Sequence, residues 1–177
     1  MYRRVRSGIS SVSRGVPGGE RVPYLLEFAL LEWYVGHVAI AVDEPTILLE
    51  DLAAIPADLL PEAELTLQPG VRYLQTSWPV DDLMKLYLTE AAPDRLEFKP
   101  GNVWMEVRGA RGEFSMNRLS EADFAFRESI MERRSIGEAA ECAFEADAAF
   151  DPGMALAVVI TGELITGIKS RATETEQ

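Results

Sequence analysis

Apolar and polar positions divide the chain into segments of different period. After Pro23 the stretch YLLEFALLEWYVGHVAIAV places Leu26, Leu30, Trp33, Tyr34 and His37 at spacings of three and four, the repeat of one helix face. Pro23 suits a first turn, where the N–H that proline lacks would have no intrahelical partner. The next stretch, DEPTILLEDLAAIPADLLPEAE, is interrupted by Pro45, Pro56 and Pro61 and predicts a loop with short helical turns. ELTLQ and VRYLQTSW then alternate through Leu65, Leu67, Val71 and Tyr73 as half-buried strands do, with the turn dipeptide Pro69-Gly70 between them. Pro79 opens a helix running through Leu83, Leu86 and Tyr87, with Asp81 and Asp82 where the helix dipole favours acids.

Downstream the signals sharpen. Three strand-like runs follow one another: RLEFK, VWMEVR after Pro100-Gly101, and GEFSMN after the turn GARG. Three helices come next. Ser120-Glu-Ala-Asp123 resembles a capping box opening EADFAFRESIMERR, and Ser135-Ile-Gly-Glu138 is a full one opening IGEAAECAFEADAAF. Asp151 as N-cap and Pro152 behind it open a third helix through Leu156, Val159 and Ile160, which Gly162 is expected to cap. ELITGI returns as a strand or packs on the core, and the polar KSRATETEQ reads as a disordered tail. The expected organisation is a flexible arm over 1–22, a helical and short-strand segment over 23–92, a three-strand/three-helix module over 93–168, and a tail over 169–177. This is an α+β fold: an N-terminal helix, a small antiparallel sheet and a C-terminal module.

Composition narrows the class. The chain has 177 residues, 47% of them hydrophobic, with three Trp, five Tyr and seven Phe, too apolar for a disordered protein. Its single cysteine, Cys142, excludes an internal disulfide and a thiolate zinc cluster. The longest apolar run, Met154 to Ile160, falls far short of the roughly 18 residues of a membrane span. MYRRVRSGIS has basic residues but no hydrophobic stretch behind them, so no secretory signal and a cytoplasmic location are expected.

Charge separates the arm from the rest. Residues 1–22 carry five arginines (Arg3, Arg4, Arg6, Arg14 and Arg21) against Glu20, a net of +4, so the remainder holds -16 of the overall -12. Arg3, Arg4, Arg6 and Arg14 are the candidate contacts to nucleic acid. Against that reading, residues 119–150 offer only Arg127, Arg133 and Arg134 among at least twice as many acids, whereas phosphate binding needs a basic face.

Catalytic chemistry has little to draw on. The only histidine, His37, falls on the presumed apolar face of the first helix and reads as a core or capping residue, and Cys142 inside EAAECAFEA reads as a small buried hydrophobe. Glu138, Glu141 and Glu145 share a helix face with no histidine beside them and read as a solvated face rather than metal ligands. No nucleotide-binding glycine loop is present. Three strands followed by three helices point instead to a groove in which an extended peptide adds a strand. Its candidate walls are Phe114, Ser115 and Met116 on the last of the three strands, and Leu156, Val159 and Ile160 on the last helix.

The segments VPYLLEFALLEW, LTLQPGVRYLQTSWPVDDL, FKPGNVWMEVR, LSEADFAFRESIMERRSIGEAAECAF and FDPGMALAVVITGELITGI, over about residues 22–168, together resemble the C-terminal portion of the HvfC/BufC family. Members of that family were first described as DNA-binding on account of an N-terminal helical domain. The resemblance implies a partner subunit of multinuclear non-haem iron oxidases, which modify cysteines of ribosomally made precursor peptides. It also implies a PqqD-like or winged-helix-like module of three strands and three helices. Here the basic arm stands where the family carries its helical domain, so the DNA-binding label does not transfer. The resulting expectation is a non-catalytic adaptor without a cofactor of its own, whose partners are a non-haem iron oxidase subunit and a precursor peptide. A DNA-binding regulator is the alternative.

Overall fold

A computed structural model of the chain describes residues 22–89 and 98–169. These form a mixed α+β arrangement of six α-helices and two small antiparallel sheets. In chain order the elements are α1 (Leu25–Ala39), α2 (Leu49–Ala53), a 3-10 turn (Leu60–Glu62), β1 (Glu64–Leu67), β2 (Val71–Thr76), α3 (Val80–Leu88), β3 (Val103–Ala110), β4 (Glu113–Leu119), α4 (Glu121–Met131), α5 (Ile136–Ala146), α6 (Pro152–Thr161) and β5 (Ile165–Lys169).

The larger sheet has the order β2-β3-β4, and both of its faces are covered. The register pairs Leu74 with Met105 and Val107 with Met116, which puts these side chains on one face with Val103 and Phe114. Leu31 and Val38 of α1, with Val80 and Met84 of α3, close over that face. On the other face Val71 and Tyr73 join a second core built from Phe124, Phe126 and Ile130 of α4, Ala139 and Ala143 of α5, and Leu156, Val159 and Ile160 of α6. The smaller sheet, β1 antiparallel to β5, belongs to the second core through Leu65 and Ile165, both fully buried.

The helix starts follow the local chemistry read from the sequence. The hydroxyls of Ser120 and Ser135 accept the N–H groups of Asp123 and Glu138, and the Asp151 carboxylate accepts that of Met154. Glu138 returns a bond from the N–H of Ser135, completing the capping box.

The two strands expected on either side of Pro69-Gly70 both form, β1 pairing with β5 and β2 with β3. Gly70 is required by a close approach, since a Cβ there would lie 2.0 Å from the carbonyl oxygen of Gly109. Elsewhere the structure departs from the sequence reading. The third strand of the larger sheet is β2. The expected strand over 95–99 lies mostly outside the described residues, and Phe98 and Lys99 are not in a strand. Phe98 instead stacks on Trp78 and meets Tyr24 edge-on, the ring centroids 5.6 and 4.7 Å apart.

The buried face of α1 also differs. Tyr24, Phe28, Leu31, Tyr34, Val35 and Val38 pack on the sheet, while Leu26 is 76% and Trp33 62% exposed. Both faces carry apolar residues at helical spacing, so periodicity alone could not choose between them. His37 is exposed rather than in the core, its Nδ1 3.1 Å from the Trp33 carbonyl oxygen. Gly162 is the C-terminal cap of α6, as expected. Gly162 keeps a negative φ, and Glu163 takes the left-handed conformation at φ 58°. The N–H groups of Glu163 and Leu164 then reach the carbonyls of Ile160 and Val159, the bonding pattern of a Schellman motif.

Candidate functional site

The proposed groove walls lie in different parts of the molecule. Leu156, Val159 and Ile160 are at most 5% exposed and belong to the same core as Phe126, Ala139 and Ile165, so they do not line a groove with β4. Phe114 and Met116 are half-buried against the opposite, α1-side core. Ser115 is exposed. Arg3, Arg4, Arg6 and Arg14 lie outside the described residues.

The expected strand is nonetheless at an edge. β4 ends the order β2-β3-β4, and among the described residues no strand pairs with its outer side. The hairpin that delivers it is a two-residue turn, with Arg111 and Gly112 both at positive φ (54° and 95°) between the paired residues Ala110 and Glu113. Positive φ at both central positions defines the type I′ turn, whose twist matches that of the flanking strands. The turn is fastened to the end of α1, because the N–H groups of Arg111 and Gly112 donate to the carbonyls of Ala41 and Ala39.

This turn fixes which backbone groups of β4 are free. The residues flanking a two-residue I′ turn face each other as a hydrogen-bonded pair, and bonded and non-bonded pairs then alternate. Ser115 and Asn117 therefore direct their N–H and C=O groups toward β3, opposite Arg108 and Glu106. Phe114, Met116 and Arg118 direct theirs to the outer edge. The N–H of Gly109, opposite Phe114, donates to the Gly70 carbonyl on the β2 side, as this alternation requires.

A cleft of about 730 Å³ opens beside the start of β4, between the hairpin, the 43–46 segment and the turn after α6. Phe114 and Ser115 line it together with Arg108, Arg111 and Glu163. Its walls are held by polar contacts. Gln68 pairs through its side-chain amide with the backbone N–H and carbonyl of Glu44, at 2.9 and 2.8 Å. Arg108 donates to the Gly162 carbonyl. Arg111 and Glu163 both adopt left-handed backbone conformations, which cost a non-glycine residue on the order of 1 kcal/mol and collect at binding sites.

Two charged clusters pin the sheet around this edge. On the α4 side Glu106 is buried and accepts from Arg127 at 2.8 Å and from the Tyr73 hydroxyl at 3.2 Å. Burial, then the Glu106 charge, pushes the Tyr73 hydroxyl far up, so it remains a neutral donor. On the α1 side the Asp81 carboxylate, 1% exposed, accepts two bonds from Arg118 and one from Lys85. Burial alone would raise the Asp81 carboxyl; the bonds from Arg118 and then Lys85 outweigh it and hold the group below the ordinary 3.8. Arg118 thus anchors β4 to α3 through its side chain while its backbone faces outward.

The sequence pattern missed the buried Glu106, because alternation in VWMEVR assigns that position to solvent when only one face of the sheet is taken as covered. Cys142 is half-buried, with its sulfur 3.2 Å from Nη1 of Arg134. Among the described residues no three His, Cys, Asp or Glu side chains converge as a metal cage, and no helix is long and apolar enough to cross a membrane. No family model, curated protein or solved structure matches the chain.

Proposed function

We propose that this chain is a non-catalytic adaptor that holds a precursor peptide as an added strand on β4 and presents it to an iron-dependent oxidase partner. The observation that carries the peptide-binding part is the outer edge of β4. Three residues, Phe114, Met116 and Arg118, offer backbone donors and acceptors there, beside a cleft able to take a side chain. An added strand would alternate its side chains between the Phe114/Met116 face and the Ser115 cleft. The oxidase and the precursor class come from the resemblance to the HvfC/BufC family. With it goes a reading of β2, β3 and β4 with α4, α5 and α6 as the PqqD-like module of that family. Strand addition asks for no catalytic residue, in keeping with a chain whose only histidine is tied to its own helix.

The test is co-expression of the tagged chain with the products of its neighbouring genes, followed by affinity purification and mass spectrometry. The proposal expects an iron-containing oxidase and a cysteine-bearing peptide to be retained, and Met116→Pro to lose the peptide while keeping the oxidase. A chain that elutes alone contradicts it.

A further inference from the structure

α1 is apolar on the side it buries and also on the side it exposes. The outer side carries Leu26, Ala29, Leu30, Trp33, Gly36 and Ile40, with the exposed His37 against the Trp33 ring as its one titratable side chain. Ile40 is 81% exposed, and Val22 and Val42 extend the strip beyond both helix ends. A helix with apolar stripes on two faces leaves one of them unburied when it packs on a single sheet. Taken over Val22, Leu26, Leu30, Trp33, Ile40 and Val42, these exposed fractions amount to roughly 600–700 Å², at or above the usual largest patch of a monomer and close to one side of a standard interface.

We infer that this strip is the interface of a two-fold homodimer, in which α1 packs antiparallel against α1 of a second copy with Trp33 near the axis. The strip is self-complementary about that residue. Leu26 and Ile40 lie seven positions to either side of Trp33, so antiparallel pairing sets each against the other. Ala29 and Gly36 flank Trp33 as the small residues that a second indole needs, and a Cβ added at Gly36 would meet nothing within 4 Å. A chain of net charge -12 approaches its own copy most readily across a face without acidic residues, and this strip is such a face. The pairing uses no residue of β4, so it stands or falls independently of peptide binding.

Sedimentation velocity over about 1 to 100 μM, a range that brackets micromolar self-association, tests it on the full chain with Trp33→Glu and Gly36→Leu variants. The expected result is a dimer that both variants weaken at least tenfold with unchanged far-ultraviolet circular dichroism. Gly36→Leu fills the space for the second indole while improving helix propensity, so it remains informative if Trp33→Glu fails to fold. A monomer throughout would overturn the inference, whether the strip then proves covered by residues 1–21 of the same chain in cross-linking or by the oxidase in a 1:1 complex that Trp33→Glu abolishes. A dimer indifferent to both variants would overturn it equally.

Discussion

Glu106 and Arg127 form an ion pair inside the protein, with side chains 4% and 9% exposed. Such a pair is stabilising only while both charges are present, because either one alone is a buried charge without compensation. Arg127→Met is therefore expected to cost about 3–5 kcal/mol in urea unfolding, and Glu106→Leu added to it should recover most of that loss. Asp81 gives a pH signature. Its folded value lies below its unfolded 3.8, so its stabilisation is fully present above the unfolded value and disappears as pH falls through the folded one. Asp81→Asn should cost about 2 kcal/mol at pH 7 from its charge-assisted bonds. The gap between wild type and variant should stay constant down to the unfolded value and close below it. Glu163→Gly should raise stability by about 1 kcal/mol, since glycine adopts the left-handed conformation without a Cβ penalty; a lower thermal midpoint for that variant would contradict this.

At the level of elements, β4 separates two substitutions that look equivalent in sequence. Ser115→Pro removes an N–H directed at β3 and should lower stability by about 1–3 kcal/mol through the orphaned Arg108 carbonyl. Met116→Pro removes an outward N–H, should cost less, and should weaken an added strand more. Thermal melts of the two variants beside peptide titrations check both halves. Elements whose ends are fixed by short-range chemistry were legible in the sequence: Ser120, Ser135 and Asp151 cap the helices they were expected to cap. Elements defined by partners far along the chain were not. The pairing of β1 with β5 closes roughly a hundred residues, and neither strand's alternation carries information about which strand it will meet.

Across the whole molecule, a sheet covered on both faces explains which residues could be read for function. The edge position of the strand holding Phe114, Ser115 and Met116 was legible because that strand follows directly from a hairpin turn. Leu156, Val159 and Ile160 were misread because an apolar helix stripe looks the same whether it lines a groove or fills a core, and here the second core claims it. α1 shows the converse, with an apolar face that stands exposed among the described residues. The central claim, strand addition on β4, is tested most directly by residue-resolved hydrogen exchange with and without the co-purified peptide. Ser115 and Asn117, already turned to β3, should show little change, while the amides of Phe114, Met116 and Arg118 should gain protection together. Protection that leaves those three amides untouched while the peptide is bound would contradict the claim.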